Sequence, residues 1–142
     1  MTAATPYQQA ILFARNDLKG ERDPITGAPK VDHSLRTARA LDSRAARLVA
    51  VLHDTNAAAS PYADTLLEFL DNDLREAVTV LNRPDGPDGD EYVDAVRQNR
   101  VALTVQLAAL DDFTSAEYLG KLPPAERNQY RRHIQSLREL FS

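Results

Sequence analysis

The chain has 142 residues, a net charge of −4, a pI near 5.3 and no cysteine. That length suits one domain of ordinary size. The missing cysteines exclude disulfides, thiolate metal sites and a cysteine nucleophile, and the acidic balance excludes the dense basic face that general nucleic-acid binding requires. Small phosphorylated ligands stay open, because they need only a few local cations.

Met1 to Gln9 is polar and has no basic segment leading into an apolar core. No signal peptide is readable. The longest apolar runs fall far short of the roughly 20 residues that span a bilayer. The expectation is a cytoplasmic protein that does not bind membranes.

The chain is punctuated for helices. Thr5-Pro6 reads as an N-cap with proline at the first helical position. Tyr7, Ile11, Ala14 and Leu18 follow at helical spacing, and Gly20 is a plausible stop. Gly20 to Asp32, with two glycines and two prolines, predicts a loop. A second helix is expected from Asp32 or Ser34 to about Leu41. Asp42 or Ser43 can cap a third, striped by Ala45, Leu48, Val49 and Leu52 and ending near His53 to Asn56.

Ser60-Pro61 repeats the cap-plus-proline signal ahead of Leu66, Leu67, Phe69 and Leu70. Asp71 can cap a helix running through Leu81, and Arg83 to Asp90 is the clearest loop. One long helix is predicted from about Glu91 to Asp112, with Val93, Val96, Val101, Ala102 and Val105 as its apolar face. Leu122-Pro123-Pro124 breaks the chain, and Tyr130, Ile134, Leu137 and Phe141 stripe a last helix. Val78-Thr79-Val80 is β-branched but sits inside a helical period, and no alternating strand pattern is seen. The reading is a single all-α domain over 1–142, a bundle of about seven helices.

Two of the three histidines, His33 and His53, fall where helices should meet loops, and Asp54 follows His53. Imidazole and carboxylate together suit zinc, manganese, iron or magnesium in varying degree. Neighbours on a helix point about 100° apart. His53 and Asp54 can therefore share a cation only in a groove against another element, from which His33 could supply a third ligand. The plainer alternative is capping or surface histidines, and His133, behind Arg131 and Arg132, reads as solvated.

Arg36 and Arg39 share a helix face and could grip a phosphate, although solvated surface charge is the favoured role for most arginines of this cluster. Asp71/Asp73 and Asp85/Asp88/Asp90 read as caps and a polar loop, without the residue order of an EF-hand. There is no Walker-type phosphate loop, no Gly-x-Ser-x-Gly elbow and no dinucleotide fingerprint.

Several segments in order resemble the small HD-domain proteins related to alarmone hydrolases of the RelA/SpoT type. Ala10-Ile-Leu-Phe-Ala14 to Gly20 is similar to their opening helix. Gly27-Ala-Pro-Lys-Val-Asp-His33 resembles Gly-x-Pro-Tyr-x-x-His, which brings in the first ligand histidine. Ala50-Val-Leu-His-Asp54 matches Leu-His-Asp, and Val105-Gln-Leu-Ala-Ala109-Leu resembles Val-Lys-Leu-Ala-Asp-Leu. Leu122-Pro-Pro-Ala-Glu-Arg127 to Phe141 looks like the final helix. The resemblance spans nearly the whole chain. It implies an HD-type bundle, a divalent metal on His33, His53 and Asp54, and nucleotide contacts from Arg22 and Lys30, with Arg36 as a further phosphate ligand.

The departures bear on chemistry. The family's last ligand aspartate is Ala109 here, and the Glu-Asp pair that follows its His-Asp by three and four residues is Ala57 and Ala58. The motif tyrosine is Lys30, the proline after the ligand histidine is Ser34, and the histidine two residues before the first glycine is Leu18. Phosphate-ester hydrolysis by this route needs a metal to polarise the phosphoryl group and acidify water. It also needs a positioned base, worth about 10²–10⁴-fold. Asp112, three residues past Ala109, lies on nearly the same face and could replace the lost ligand, or be a solvated helix-end carboxylate. The sequence thus points to a relative of metal-dependent nucleotide phosphohydrolases with reduced or lost hydrolysis. The alternative is a non-catalytic module that binds a phosphorylated small molecule or a protein partner.

Overall fold

The computed structural model describes residues 5–60, 68, 70–82 and 89–142. The expected cap at Ser60-Pro61, most of the apolar run from Leu66 to Leu70 and most of the loop from Arg83 lie outside them. The described helices are α1 (Pro6–Asp17), α2 (Val31–Arg39), α3 (Arg44–Leu52), α4 (Asn72–Leu81), α5 (Asp90–Gln98), α6 (Arg100–Asp112), α7 (Ala116–Leu119) and α8 (Pro124–Glu139). A short 3₁₀ turn covers Ala57–Ala59. Seven of these helices have nine residues or more, so the all-α bundle of about seven helices stands. Among the described residues no helix is long and apolar enough to cross a membrane.

The starts of the helices follow the capping residues. Thr5 accepts from the Gln8 amide while the Gln8 side chain accepts from the Thr5 amide, a reciprocal box that satisfies two otherwise orphaned donors. Ser43 accepts from Ala46 N and Asp71 from Leu74 N in the same way. The helix expected over 91–112 is instead two helices that meet at Asn99, whose φ/ψ of −114°/110° is extended. Neither glycine nor proline marks this break. Asn99 makes it by turning its side chain to accept from Ala102 N, which starts α6 afresh.

Helix α3 is central, packed against α1, α2, α4 and α6. Val49, Ala50 and Val51 are fully buried there, and Val78, Val96 and Val105 face them from α4, α5 and α6. Burying a valine contributes about 1.5–3 kcal/mol against leaving it exposed. The stripe on α3 is displaced slightly from expectation: Ala46 is buried, whereas Ala45 and Leu48 are only partly so.

The segment between α1 and α2 folds back on itself. Arg22 and Pro29 form an isolated antiparallel bridge. Asp23 accepts from the amides of Ile25 and Thr26. The reversal closes at Gly27, whose φ of +72° a side chain would strain. This loop becomes one wall of the cleft described next.

Candidate metal centre

His33 stands in the first turn of α2, and His53 is the residue that caps the C-terminus of α3. Because α2 and α3 pack together, both rings enter the same space, their centroids 5.4 Å apart and their planes at 66°. Asp54 continues from His53 and sets its Oδ1 3.6 Å from His53 Nε2. One ligand atom from each of His33, His53 and Asp54 lies within 4.8 Å of the others. A tetrahedral site with bonds of about 2.0–2.1 Å places its ligands about 3.4 Å apart, so small rotations would close the group on a cation.

The backbone after α3 is held from α4. Asn82 Nδ2 donates to the carbonyls of Leu52 at 3.1 Å and His53 at 2.9 Å, and Asn82 Oδ1 accepts from Ala58 N at 3.1 Å. One amide thereby pins the His-Asp turn to the 3₁₀ turn that follows. No sequence signal pointed to Asn82; its effect depends on α4 packing against α3.

Each histidine is oriented through its Nδ1. His33 Nδ1 lies 2.6 Å from Asp112 Oδ2, and His53 Nδ1 lies 2.6 Å from the Ala50 carbonyl. Burial opposes ionisation of Asp112, but the bonds from His33 and Arg36 outweigh it and hold its pKa below the usual carboxylate value. Ionised Asp112 and a backbone carbonyl can only accept, so both Nδ1 atoms carry hydrogen, and Nε2 is the ring atom each histidine has left for a cation. Burial also lowers the His53 pKa, against the opposing field of Asp54. For Asp54 burial acts against charge, yet the fields of His53, His33 and Lys30 prevail and keep it ionised. Two imidazoles tied back through Nδ1, each with Nε2 as its remaining ligand atom, and one carboxylate are a donor set that fits a divalent cation.

Asp112 does not join this cluster as a ligand. It sits behind His33, its side chain only 9% exposed, and accepts from Arg36 Nε and Nη2 at 2.9 and 3.1 Å as well. The solvated reading of Asp112 is therefore replaced by a buried one. Phe113 stacks on the His33 ring at 4.3 Å and 17°, and Tyr118 meets Phe113 edge-on. Neither aromatic stood out in the sequence, because their positions follow α6 and a one-turn helix that carries no clear periodicity.

His33 and Asp54 open onto a cleft of about 530 Å³ between the Asp23–Ile25 loop, α6 and α8. Lys30 lines it and pairs with Glu21 at 3.7 Å. Arg22 and Arg36 do not line it. Arg22 donates to the Gly27 carbonyl at 3.4 Å. Arg36 is spent on Asp112 and faces a separate groove with Leu107 and Asp111. Of the three residues expected to meet phosphate, the fold brings only Lys30 to the cleft. His133 is exposed, as expected, but on the cleft rim. Gln106, missed in the sequence, is buried in the cleft wall and accepts from the Tyr92 hydroxyl at 2.8 Å. Ala57 and Ala109 are buried, and with Ala58 they offer no polar side-chain atom to the site.

The helical bundle thus brings a histidine at one helix start to a His-Asp pair at another helix end. The chain shares its fold with a solved structure described as a metazoan ortholog of SpoT that hydrolyzes ppGpp and plays a role in starvation responses. The TM-score is 0.67 at 14% identity, over 99% of this chain and 88% of that one. No protein-family model matches the sequence. No curated protein matches it either.

Proposed function

We propose that this protein binds a divalent cation through His33, His53 and Asp54, and holds a phosphorylated small molecule beside it with hydrolysis reduced or lost. The observation that carries this reading is the orientation of the two histidines. Both Nδ1 atoms are tied to acceptors, which leaves Nε2 of each ring as its ligand atom beside Asp54, and of the three His33 and Asp54 line the cleft. The shared fold with a ppGpp hydrolase supports it as well.

A cation bound there would supply Lewis acidity and an acidified water. The chain's own residues do the rest. Asp112 holds the His33 tautomer, Asn82 holds the His-Asp turn, and Lys30 offers the cleft a phosphate contact. Among the described residues, none beside Asp54 offers the cleft a free proton acceptor at the positions that follow the His-Asp pair. Ala57 and Ala58 provide none, and Asp23 already accepts from the Tyr118 hydroxyl at 2.7 Å. Loss of a positioned base alone lowers a rate by about 10²–10⁴-fold. That deficit favours retention of a ligand over its turnover.

Metal analysis of protein purified without chelator tests the proposal. Near-stoichiometric manganese, iron or zinc that disappears in His53→Ala is the expected result. A metal-free protein that also fails to take up added manganese or zinc would remove the basis for the reading.

A further inference from the structure

The composition of the cleft wall says what kind of phosphorylated molecule it suits. Among the described residues Lys30 is the one lysine or arginine in the wall, and Glu21 already pairs with it. Asp23 and Asp54 are its carboxylates. Counting histidines neutral, one cation and two carboxylates leave −1, and a divalent ion on the proposed ligands would make +1. The remainder of the wall is mostly apolar: Ile25, Leu110, Phe113, Tyr130, Ile134 and Leu137.

Two features are suited to a flat ring system. Tyr130 packs on the core from the cleft side and makes no ring contact with another described aromatic residue, so a face of it can take a planar group. Gln106 is fixed by Tyr92 through its Oε1, which leaves Nε2 as a neutral donor without a partner among the described residues. A neutral donor anchored in an apolar wall recognises a carbonyl or ring nitrogen, and adds no charge for phosphate. The volume of about 530 Å³ falls within the range of about 300–1,000 Å³ for small-molecule sites.

Each terminal phosphate brings about −1.5 to −2. One such group meets the +1 of the metal-loaded cleft, Lys30 included, with an excess of only about −0.5 to −1. A nucleotide with two diphosphate arms brings four phosphate groups against the same small positive charge, along an apolar wall that cannot hydrate them. From this balance, and resting on the metal-binding reading above, we infer that the ligand is a monophosphate ester of a flat, weakly polar body, the class to which nucleoside monophosphates belong. Nucleotides with diphosphates at both ends are disfavoured.

Calorimetric titration of the manganese-loaded full chain at about 0.15 M salt tests this with four probes: guanosine monophosphate, guanosine bis-diphosphate, guanosine and inorganic phosphate. The monophosphate should bind at least about tenfold more tightly than the bis-diphosphate, a difference of about 1.4 kcal/mol. It should also bind more tightly than guanosine or phosphate alone. Ile25→Arg in the loop, or Leu137→Arg on α8 should the first fold poorly, adds a cation to the wall and should narrow or reverse the preference. Equal or tighter binding of the bis-diphosphate by the unaltered chain overturns the inference while the metal reading stands. So does bound manganese with no affinity for the monophosphate. A chain that takes up no metal overturns both.

Discussion

The contact between Asp112 and His33 makes the strongest demand on this account. Asp112→Asn keeps the side chain's size and removes its charge. The native carboxylate offers two accepting oxygens to three donors: His33 Nδ1 at 2.6 Å and two Arg36 nitrogens at 2.9 and 3.1 Å. Asparagine offers one oxygen and a nitrogen that can only donate. If the oxygen stays with Arg36, the new nitrogen faces His33 Nδ1, which must then give up its hydrogen and become the acceptor. The hydrogen moves to Nε2, the atom the metal needs. Loss of an orienting partner of this kind weakens metal binding by about 10–100-fold, or about 1.4–2.7 kcal/mol. Competition of manganese or zinc against a fluorescent chelator measures it. Stability should fall too, since a hydrogen bond to a charged group contributes about 1.5–3 kcal/mol. Arg36, with its side chain 22% exposed, can recover part of that from water. Arg36→Met is the control: it removes the guanidinium but leaves Asp112 on His33, so affinity should change by less than about threefold. An Asp112→Asn protein that loses stability yet binds metal within about twofold of the unaltered chain would refute the reasoning and make Asp112 a purely structural partner.

Other perturbations give distinct readouts. Ala109→Asp places a carboxylate at a position only 3% exposed. It should lower stability in chelator by about 1–3 kcal/mol and return that stability when manganese is added, read by thermal melting with and without the metal. Asn99→Ala removes the side-chain cap that starts α6 and should cost about 1 kcal/mol in urea denaturation. Tyr92 and Tyr118 are raised above their ordinary value of 10.0, first by burial and then by the field of Asp54 for Tyr92 and by the hydrogen bond to Asp23 for Tyr118. Unfolded tyrosines lose protons above pH 10 while these stay protonated in the fold. The native state then binds more protons, so stability falls with rising pH, by at most about 1.4 kcal/mol per pH unit for each residue. Denaturation at pH 9 and pH 11 checks the sign, and a chain no less stable at the higher pH contradicts it.

The parts legible in the sequence were those encoded within a few residues. Thr5-Pro6, Ser43 and Asp71 each satisfy a donor three positions on, so their caps could be read directly. The His-Asp pair and the preceding Gly-Ala-Pro-Lys segment were legible because motifs are local. Asn99 also caps locally, yet it lies in an unbroken apolar period, and the periodicity outweighed the cap. Asn82, Gln106 and Phe113 act on partners distant in sequence, and spacing carries no information about which helices pack together. Arg36 shows the same limit from the other side. Its face on α2 was readable, but its direction was set by Asp112, 76 residues away.

The fate of Arg36 also bears on what the centre is for. An arginine and a buried carboxylate behind a histidine form an ionic group whose desolvation opposes folding, and well-packed apolar residues in such places are often as stable or more so. The group does specify one thing that apolar residues cannot: which His33 nitrogen carries the hydrogen. His53 has the same specification from the Ala50 carbonyl. A purely structural pair of buried histidines needs each ring satisfied but has no need for both to keep the same nitrogen free on the same side. Both rings are tied through Nδ1 here, beside Asp54, and His33 and Asp54 line the cleft. Ala57, Ala58 and Ala109 bring no carboxylate to the described residues around it and leave that arrangement intact. On the proposed reading the two capacities of a metal-dependent site come apart here: the ligand geometry for a cation is present, while the described residues at 57, 58 and 109 supply no proton acceptor beside it.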